Sequence, residues 1–171
     1  TMPIKNVYVE GNTFIEENEI ITLAKIDNNS SFLLLNSNTV IKNIKKNKYI
    51  KEVKIKKKLD NKLIIIIEEY KVLCSIQDNK ILLENGEILD NNYDLTDVPL
   101  LIKNIEDREI LNNFVKKFSK VDNNILRQIS QIEYLPVNVD KERFSLYMDD
   151  GNQVYITLTK IDKLNKYNEV V

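Results

Sequence analysis

The sequence predicts an α+β protein in which a β-α-α-β-β block, residues 1–70, is followed by a mixed β-sheet domain with helices, residues 71–171. Two observations support this prediction. Near Ile50 the period of the apolar residues changes from about 3.6, which is typical of a helix, to 2, which is typical of a strand. The charge balance also changes, because residues 1–70 carry twelve Lys against nine acidic residues, whereas residues 71–171 carry thirteen Lys and Arg against seventeen.

The first block opens with a predicted strand and a short helix. Residues 4–9 are rich in β-branched and aromatic side chains, as strands are. Gly11 can adopt the positive φ that a tight turn needs. Thr13 and Glu16 match the Ser/Thr-x-x-Glu capping box, so a helix is expected to begin there.

A second helix and two strands are expected to complete this block. Asn36 or Asn38 can cap the helix, because a short polar side chain can accept hydrogen bonds from its first N–H groups. Residues 50–56 alternate between apolar and charged, which predicts a half-exposed strand. Residues 59–62 form a turn, and residues 63–67, all apolar, predict a strand that is central or covered on both faces.

The second block is predicted to hold a helix between groups of short strands. Over residues 106–120 an apolar stripe recurs at helical spacing, at Leu111, Phe114, Val115 and Phe118. A short helical turn is expected at residues 123–128, and a final helix near Ile161. The predicted strands are residues 72–77, 80–83, 87–89, 129–135, 144–148 and 153–158.

The composition argues against catalysis. The chain has no His and three Gly, which removes the commonest general base and leaves too few glycines for a phosphate loop. Cys74 lies in an apolar stretch with no imidazole to activate it, so a buried thiol is expected. Asp149, Asp150 and Gly151 are expected to form a turn rather than a cation site. The net charge of −1 predicts no strong attraction to nucleic acid or to acidic lipid.

Residues 1–70 resemble a POTRA domain. The order of their elements matches, and so does an opening strand that ends Val9-Glu10-Gly11-Asn12 before a short acidic helix. Lys48, Asp60 and Lys71 stand where the related families often have Pro.

The second block resembles the FtsQ/DivIB family of division proteins. Glu69, followed by Val72 and then residues 81–89, is similar to that family's passage "E…pv…lid..G.il". Residues 146–154, followed by Lys163 and Leu164, are similar to its "l.l.dG..v" strand pair and the helix after it. With the resemblance of the first block, the similarity extends in order over nearly the whole chain.

This resemblance implies an extracytoplasmic fragment of a single-pass cell-membrane protein, held by a transmembrane helix upstream of residue 1. It implies a non-catalytic divisome scaffold without a cofactor, which binds FtsB/DivIC-like and FtsL-like membrane division proteins and regulates septal peptidoglycan synthesis. It also implies that further strands of the β domain follow Val171.

The predicted strand over residues 153–158 is the candidate partner-binding edge. A β domain with an open edge can add a strand from a partner through backbone hydrogen bonds. Gln153, Tyr155 and Thr157 are the candidate partner-binding residues. The alternative is an ordinary strand within the sheet.

The second candidate site is a basic patch. Between Lys42 and Lys62 there are ten Lys against two acidic residues. Such a patch can face an anionic wall polymer, lipid headgroups or an acidic partner. The alternative is a solvated surface, because Lys also protects exposed strand edges. The candidate residues are Lys45, Lys46, Lys54, Lys56 and Lys58.

Two other functions compete with the division scaffold. One is another POTRA-type receptor or chaperone module that binds extended polypeptides by strand addition, although residues 71–171 resemble neither POTRA repeats nor a barrel. The other is a nucleic-acid binder, which would need aromatic residues between the lysines, and only Tyr49 lies near them.

Overall fold

The computed structural model describes residue 4, residues 6–26 and residues 30–170. The chain divides into two compact units, and the boundary between them falls between Tyr70 and Lys71. Both units combine strands with helices, so the predicted α+β class is confirmed.

The first unit is a three-stranded sheet with two helices. The central strand, β3, pairs in parallel with β1 and antiparallel with β2, which gives the order β1-β3-β2. The β-α-α-β-β order predicted for this block is therefore confirmed. The elements are β1 (Asn6–Glu10), α1 (Glu17–Ala24), α2 (Ser37–Ile44), β2 (Ile50–Lys58) and β3 (Lys62–Glu69).

The core of this unit lies on one face of the sheet. Leu63, Ile65 and Ile67 are buried there, whereas Ile64 and Ile66 on the opposite face are half-buried. The prediction that this apolar strand is central is confirmed, and its second face remains partly open to solvent. The buried helix residues are Ile20, Ala24, Val40 and Ile44.

The two helices of the first unit begin in different ways. The Asn36 side chain caps α2 by accepting hydrogen bonds from the N–H groups of Asn38 and Thr39, at 3.0 and 3.3 Å, as predicted. The capping box predicted at Thr13 is wrong. The N-cap of α1 is Glu16, and its side chain makes no capping hydrogen bond.

Thr13 is instead part of a loop that Glu69 holds. The Glu69 carboxylate accepts hydrogen bonds from the backbone N–H groups of Thr13, Phe14 and Ile15, at 2.8, 3.2 and 3.0 Å, and from the Thr13 hydroxyl. The backbone N–H groups just before α1 therefore find their acceptor in a carboxylate at the end of β3 and not in a local capping box.

Two hairpins turn through an Asp-Asn pair. Asp60 and Asn61 connect β2 to β3, and both have positive φ, at 65° and 58°. Asp78 and Asn79 repeat this conformation in the second unit, at 64° and 54°. Asp and Asn tolerate positive φ better than most other residues, which suits them to these turns.

The second unit is built on a seven-stranded sheet in the order β10-β9-β8-β7-β4-β5-β6. Strand β7 is parallel to both of its neighbours, and the remaining pairs are antiparallel. The strands are β4 (Val72–Ile76), β5 (Lys80–Leu83), β6 (Ile88–Asp90), β7 (Leu100–Leu101), β8 (Ile129–Tyr134), β9 (Arg143–Met148) and β10 (Gln153–Thr157).

Helix α3 (Arg108–Phe118) packs on this sheet through aromatic side chains. The Phe114 ring lies 4.3 Å from that of Phe118 and 5.2 Å from that of Phe144 on β9, measured between centroids. Its fully packed side is centred on Ile110, Phe114 and Phe118, whereas Leu111 is only partly buried. The buried side therefore includes Ile110, which the predicted stripe omits, and leaves Leu111 and Val115 at its margin. A short helix, α4 (Asn123–Leu126), follows.

Lys71 supports the end of α3. Its ammonium group donates hydrogen bonds to the carbonyl groups of Ser119, at 3.1 Å, and Val121. Burial lowers the pKa of Lys71, and the charges of Glu84 and Asp122 oppose that shift. A cation beside the last carbonyl groups of a helix stabilises the helix end.

The predicted final helix begins earlier than expected and is mostly of the 3₁₀ type. Residues Leu158–Lys166 form 3₁₀ turns, and a single α-helical turn, α5 (Tyr167–Val170), follows. The buried residues recur every three positions, at Leu158, Ile161, Leu164 and Tyr167. A 3₁₀ helix has three residues per turn, so this spacing places Ile161 and Leu164 on one side, after a bend in the chain at Lys160.

Candidate partner-binding surfaces

Strand β10 forms one edge of the seven-stranded sheet. Within the described residues it pairs only with β9, in the antiparallel register that sets Tyr155 opposite Ser145. The carbonyl of Asn152 accepts from Met148, and the N–H of Leu158 donates to Glu142, so the even-numbered residues direct their backbone groups towards β9. By alternation, Gln153, Tyr155 and Thr157 direct theirs towards the open edge.

The side chains of these three residues have different environments. The Gln153 amide donates to the Ser145 hydroxyl at 2.8 Å, and the Thr157 hydroxyl donates to Asp140 at 3.1 Å. Tyr155 is 56% exposed, and the Arg143 guanidinium lies 5.1 Å from its ring centroid. Tyr155 is therefore the one side chain of the three that is largely free to contact a partner.

A groove of about 390 Å³ runs beside this edge. One wall consists of residues 154–157 of β10, and the other contains Leu164 and Tyr167 together with two exposed lysines, Lys160 and Lys163. The lining is largely apolar with a basic margin. It suits an extended segment that carries apolar and acidic side chains.

A hydrogen-bond network fixes the far wall of the groove. The Tyr167 hydroxyl donates to the Asp150 carboxylate at 2.5 Å, and the Asn152 amide donates to the same hydroxyl at 3.0 Å. The hydrogen bond from Tyr167 lowers the pKa of Asp150 and raises the pKa of Tyr167. This network joins α5 to the β9–β10 turn, so the strand and the helix that form the groove are held together.

The predicted basic patch is only partly a single surface. Lys54, Lys56 and Lys58 alternate along β2 and share the open face of the first unit's sheet. Lys45 lies after α2, where its ammonium group is 3.5 Å from the Glu52 carboxylate, and Lys46 is exposed beside it. The structure adds Lys62 to the three strand lysines, because it lies directly opposite Lys58 in the register of β2 and β3.

Sequence reasoning named Tyr155 and Thr157 as candidates but missed the other groove residues, among them Lys160 and Lys163. The spacing of Lys160, Lys163 and Leu164 indicates a helix with a basic side, but it does not indicate that this helix borders an open strand. Knowledge of the sheet order is needed to bring these residues together.

Cys74 and Asp150 lie where the sequence predicts. Cys74 is fully buried, and burial raises the pKa of its thiol to about 12, so the expected buried thiol is confirmed. Asp150 lies in the β9–β10 turn, as predicted. Among residues 4, 6–26 and 30–170, no cluster of three or more His, Cys, Asp or Glu could hold a metal ion.

Comparison with known proteins gives the same division of the chain. Residues 2–70 match the model "POTRA domain, FtsQ-type", and residues 74–171 match "Cell division protein FtsQ/DivIB, C-terminal". The chain belongs to the FtsQ/DivIB family. The resemblance noted in the sequence is therefore confirmed, and the first unit is an FtsQ-type POTRA domain.

Several cell division proteins DivIB are similar to this FtsQ/DivIB chain. The protein from Bacillus subtilis (strain 168) is 31% identical over 98% of this chain and 66% of its own length. The proteins from Bacillus anthracis and Brevibacillus brevis are 30% and 32% identical, over 94% of this chain and 62% and 63% of their lengths. The chain thus spans somewhat less than two thirds of the length of these relatives.

A solved structure of a DivIB domain is also similar. It is the major extracytoplasmic domain of the cell division protein DivIB from Geobacillus stearothermophilus, with 26% identity and a TM-score of 0.50, over 60% of this chain and 91% of that one. Within the described ranges of the present chain, no helix is long and apolar enough to cross a membrane.

Proposed function

We propose that this chain is the extracytoplasmic part of a single-pass membrane protein that acts as a non-catalytic scaffold in bacterial cell division. Membership of the FtsQ/DivIB family and the likeness to an extracytoplasmic DivIB domain support this proposal. The scaffold binds FtsB/DivIC-like and FtsL-like membrane proteins and thereby regulates septal peptidoglycan synthesis, without a cofactor. A transmembrane helix upstream of the POTRA domain anchors it.

The observation that supports partner binding most strongly is the open edge of β10. A partner segment in extended conformation can pair with the outward backbone groups of Gln153, Tyr155 and Thr157. Its alternate side chains then reach the groove, where Leu164 offers apolar contact and Lys163 offers a charge for acidic side chains. Backbone pairing supplies affinity, and the groove supplies specificity.

Replacing Tyr155 with Lys tests this site. The variant Tyr155→Lys is expected to abolish pull-down of the FtsB/DivIC-like partner from the same organism, because it removes an exposed aromatic contact and places a positive charge near Arg143 at the open edge. Circular dichroism should show an unchanged fold, since the side chain is more than half exposed.

The matched control is Tyr8→Lys, which makes the same change at the other strongly exposed strand tyrosine, on β1. It should leave partner capture intact. Unchanged capture by the Tyr155→Lys variant would remove β10 from the proposed site. Equal capture of unrelated extended peptides by the wild-type chain would instead favour a general receptor or chaperone that acts by strand addition.

A further inference from the structure

Three leucines of the POTRA unit are unusually exposed. Leu33 and Leu34, in the loop before α2, are 69% and 78% exposed, and Leu59, in the β2–β3 turn, is 90% exposed. Single exposed apolar side chains are ordinary on protein surfaces, but a cluster of them indicates an interaction site.

These leucines belong to one end of the unit. The Lys57 ammonium group donates to the Leu35 carbonyl at 3.0 Å and lies 5.8 Å from the centroid of the Phe32 ring. The loop that carries Leu33 and Leu34 therefore contacts the side chain of Lys57 on β2. Lys57 lies two residues before Leu59, which corresponds to about 7 Å of extended chain.

The same end is basic. Lys58 and Lys62 lie directly opposite each other across β2 and β3, a placement that like charges disfavour. Lys56 follows on the same face, and Asp60 is the acidic residue of the turn. Within the part of the chain that the structure describes, Lys58 and Lys62 form no ion pair, so an external anion can compensate their charges.

The chain also enters the unit at this end. Asn6, the first residue of β1, lies opposite Lys62 in the parallel register, and the N–H of Ile4 donates to the Ser30 carbonyl at 3.3 Å. If a membrane helix precedes β1, as the proposed function requires, it holds this end of the POTRA unit close to the bilayer.

We propose that this leucine–lysine end, defined by Leu33, Leu34, Leu59, Lys58 and Lys62, docks on the surface of an anionic lipid bilayer. The leucines enter the boundary between headgroups and acyl chains, and the ammonium groups contact lipid phosphates. Exposed apolar side chains beside uncompensated lysines fit a lipid surface better than a soluble phosphate polymer, which would engage the lysines alone. The orientation rests on the proposed membrane anchor, whereas the chemistry of the surface does not.

Vesicle co-sedimentation with the 171-residue chain tests the basic half of this surface. The chain should bind vesicles of phosphatidylcholine and phosphatidylglycerol, bind pure phosphatidylcholine vesicles much less, and lose binding as salt is added. Lys58→Glu with Lys62→Glu should lower the partition coefficient at least about tenfold. The control, Lys103→Glu with Lys141→Glu, makes the same charge change at exposed sites of the second unit and should leave binding unchanged.

A leucine variant tests the apolar half. Replacing Leu33, Leu34 and Leu59 with Ser should also lower binding about tenfold or more, because three buried leucine contacts are lost. The control Val139→Ser alters a similarly exposed apolar residue in the second unit and should have no effect. Circular dichroism checks that every variant is folded.

Three results would overturn the proposal. The first is wild-type binding that does not depend on lipid charge, and the second is unchanged binding by the lysine variant or by the leucine variant. The third is a loss of binding in the two control variants equal to the loss in the variants they match. Adding poly(glycerol phosphate) in solution distinguishes a lipid surface from a wall polymer as the source of the phosphate groups. Competition by this polymer with no effect of the leucine changes would assign the surface to a wall polymer and reject lipid docking. The Tyr155→Lys pull-down needs no lipid and the vesicle assay needs no partner, so failure of one proposal is distinguishable from failure of the other.

Discussion

At the scale of single residues, two positions fix the connection between β1 and α1. The Glu69 carboxylate accepts hydrogen bonds from the backbone N–H groups of residues 13–15, which lie in a loop without regular secondary structure. At Gly11 the backbone lies so close to the Ile67 carbonyl oxygen of β3 that a Cβ atom would not fit. The sequence identifies Glu69 through a family motif, but its role as a remote cap depends on contacts across more than fifty positions and cannot be deduced from local pattern.

Replacing Glu69 with Ala is expected to lower the free energy of unfolding of the POTRA unit by about 2 kcal/mol or more, because partly buried N–H groups lose charged acceptors. Urea denaturation measures the change. The control Glu68→Ala removes a neighbouring carboxylate, which lies 3.6 Å from Lys51 in an exposed ion pair, and should cost less than about 1 kcal/mol. Equal losses in the two variants would contradict the assigned role.

Replacing Gly11 with Ala is expected to be more damaging than the same change at Gly86. Both glycines have positive φ, at 84° and 87°, so both substitutions carry the conformational penalty of about 1 kcal/mol. A Cβ at Gly11 would also lie 2.2 Å from the Ile67 carbonyl oxygen, whereas a Cβ at Gly86 meets nothing within 4 Å. Thermal unfolding should therefore show a clear loss for Gly11→Ala and a small one for Gly86→Ala. A similar loss in both would show that strain alone matters at Gly11.

At the scale of elements, sequence reasoning succeeded where a structure is determined locally. The Asn36 cap and the hairpin turn at Asp60 and Asn61 need only their own neighbours, and both were predictable. The final helix was harder, because the spacing of Ile161, Leu164 and Tyr167 fits either an α-helix or a 3₁₀ helix until its packing is known. The three-residue period that begins at Leu158 is the signal for the latter.

The contact between Asp150 and Tyr167 gives this helical segment a pH dependence. Because the folded state lowers the pKa of Asp150, the contribution of this contact to stability is complete above the ordinary value of 3.8 and is lost as the pH falls through the lowered value. Tyr167→Phe removes the donor, so the pKa of Asp150, followed by carboxyl NMR, should rise towards 3.8. The stability gap between wild type and this variant should narrow below about pH 3.8.

Tyr134→Phe is the control for that titration. It removes a hydroxyl that donates to the Lys141 carbonyl instead, so the pKa of Asp150 should not change. A pKa of Asp150 that is identical in the wild type and in Tyr167→Phe would mean that Asn152 and the turn backbone, rather than Tyr167, set it.

At the scale of the whole molecule, the chain combines two units with different kinds of open surface. The POTRA unit leaves a basic sheet face and a leucine–lysine end exposed, whereas the second unit leaves a strand edge and a groove. The order of elements was predictable because periodicity and turns are local signals. The groove was not, because it depends on the sheet order that places β10 at the edge and on the helical segment that folds back beside it.

The open edge of β10 also bears on how much of this protein a cell can make. Under the proposed function, a copy without its partner keeps the outward backbone groups of β10 and Tyr155 exposed, and such an edge can pair with any extended chain. The risk of wrong pairing rises with the number of unpartnered copies. Synthesis of this chain would therefore need to stay in proportion to that of the protein that covers the edge.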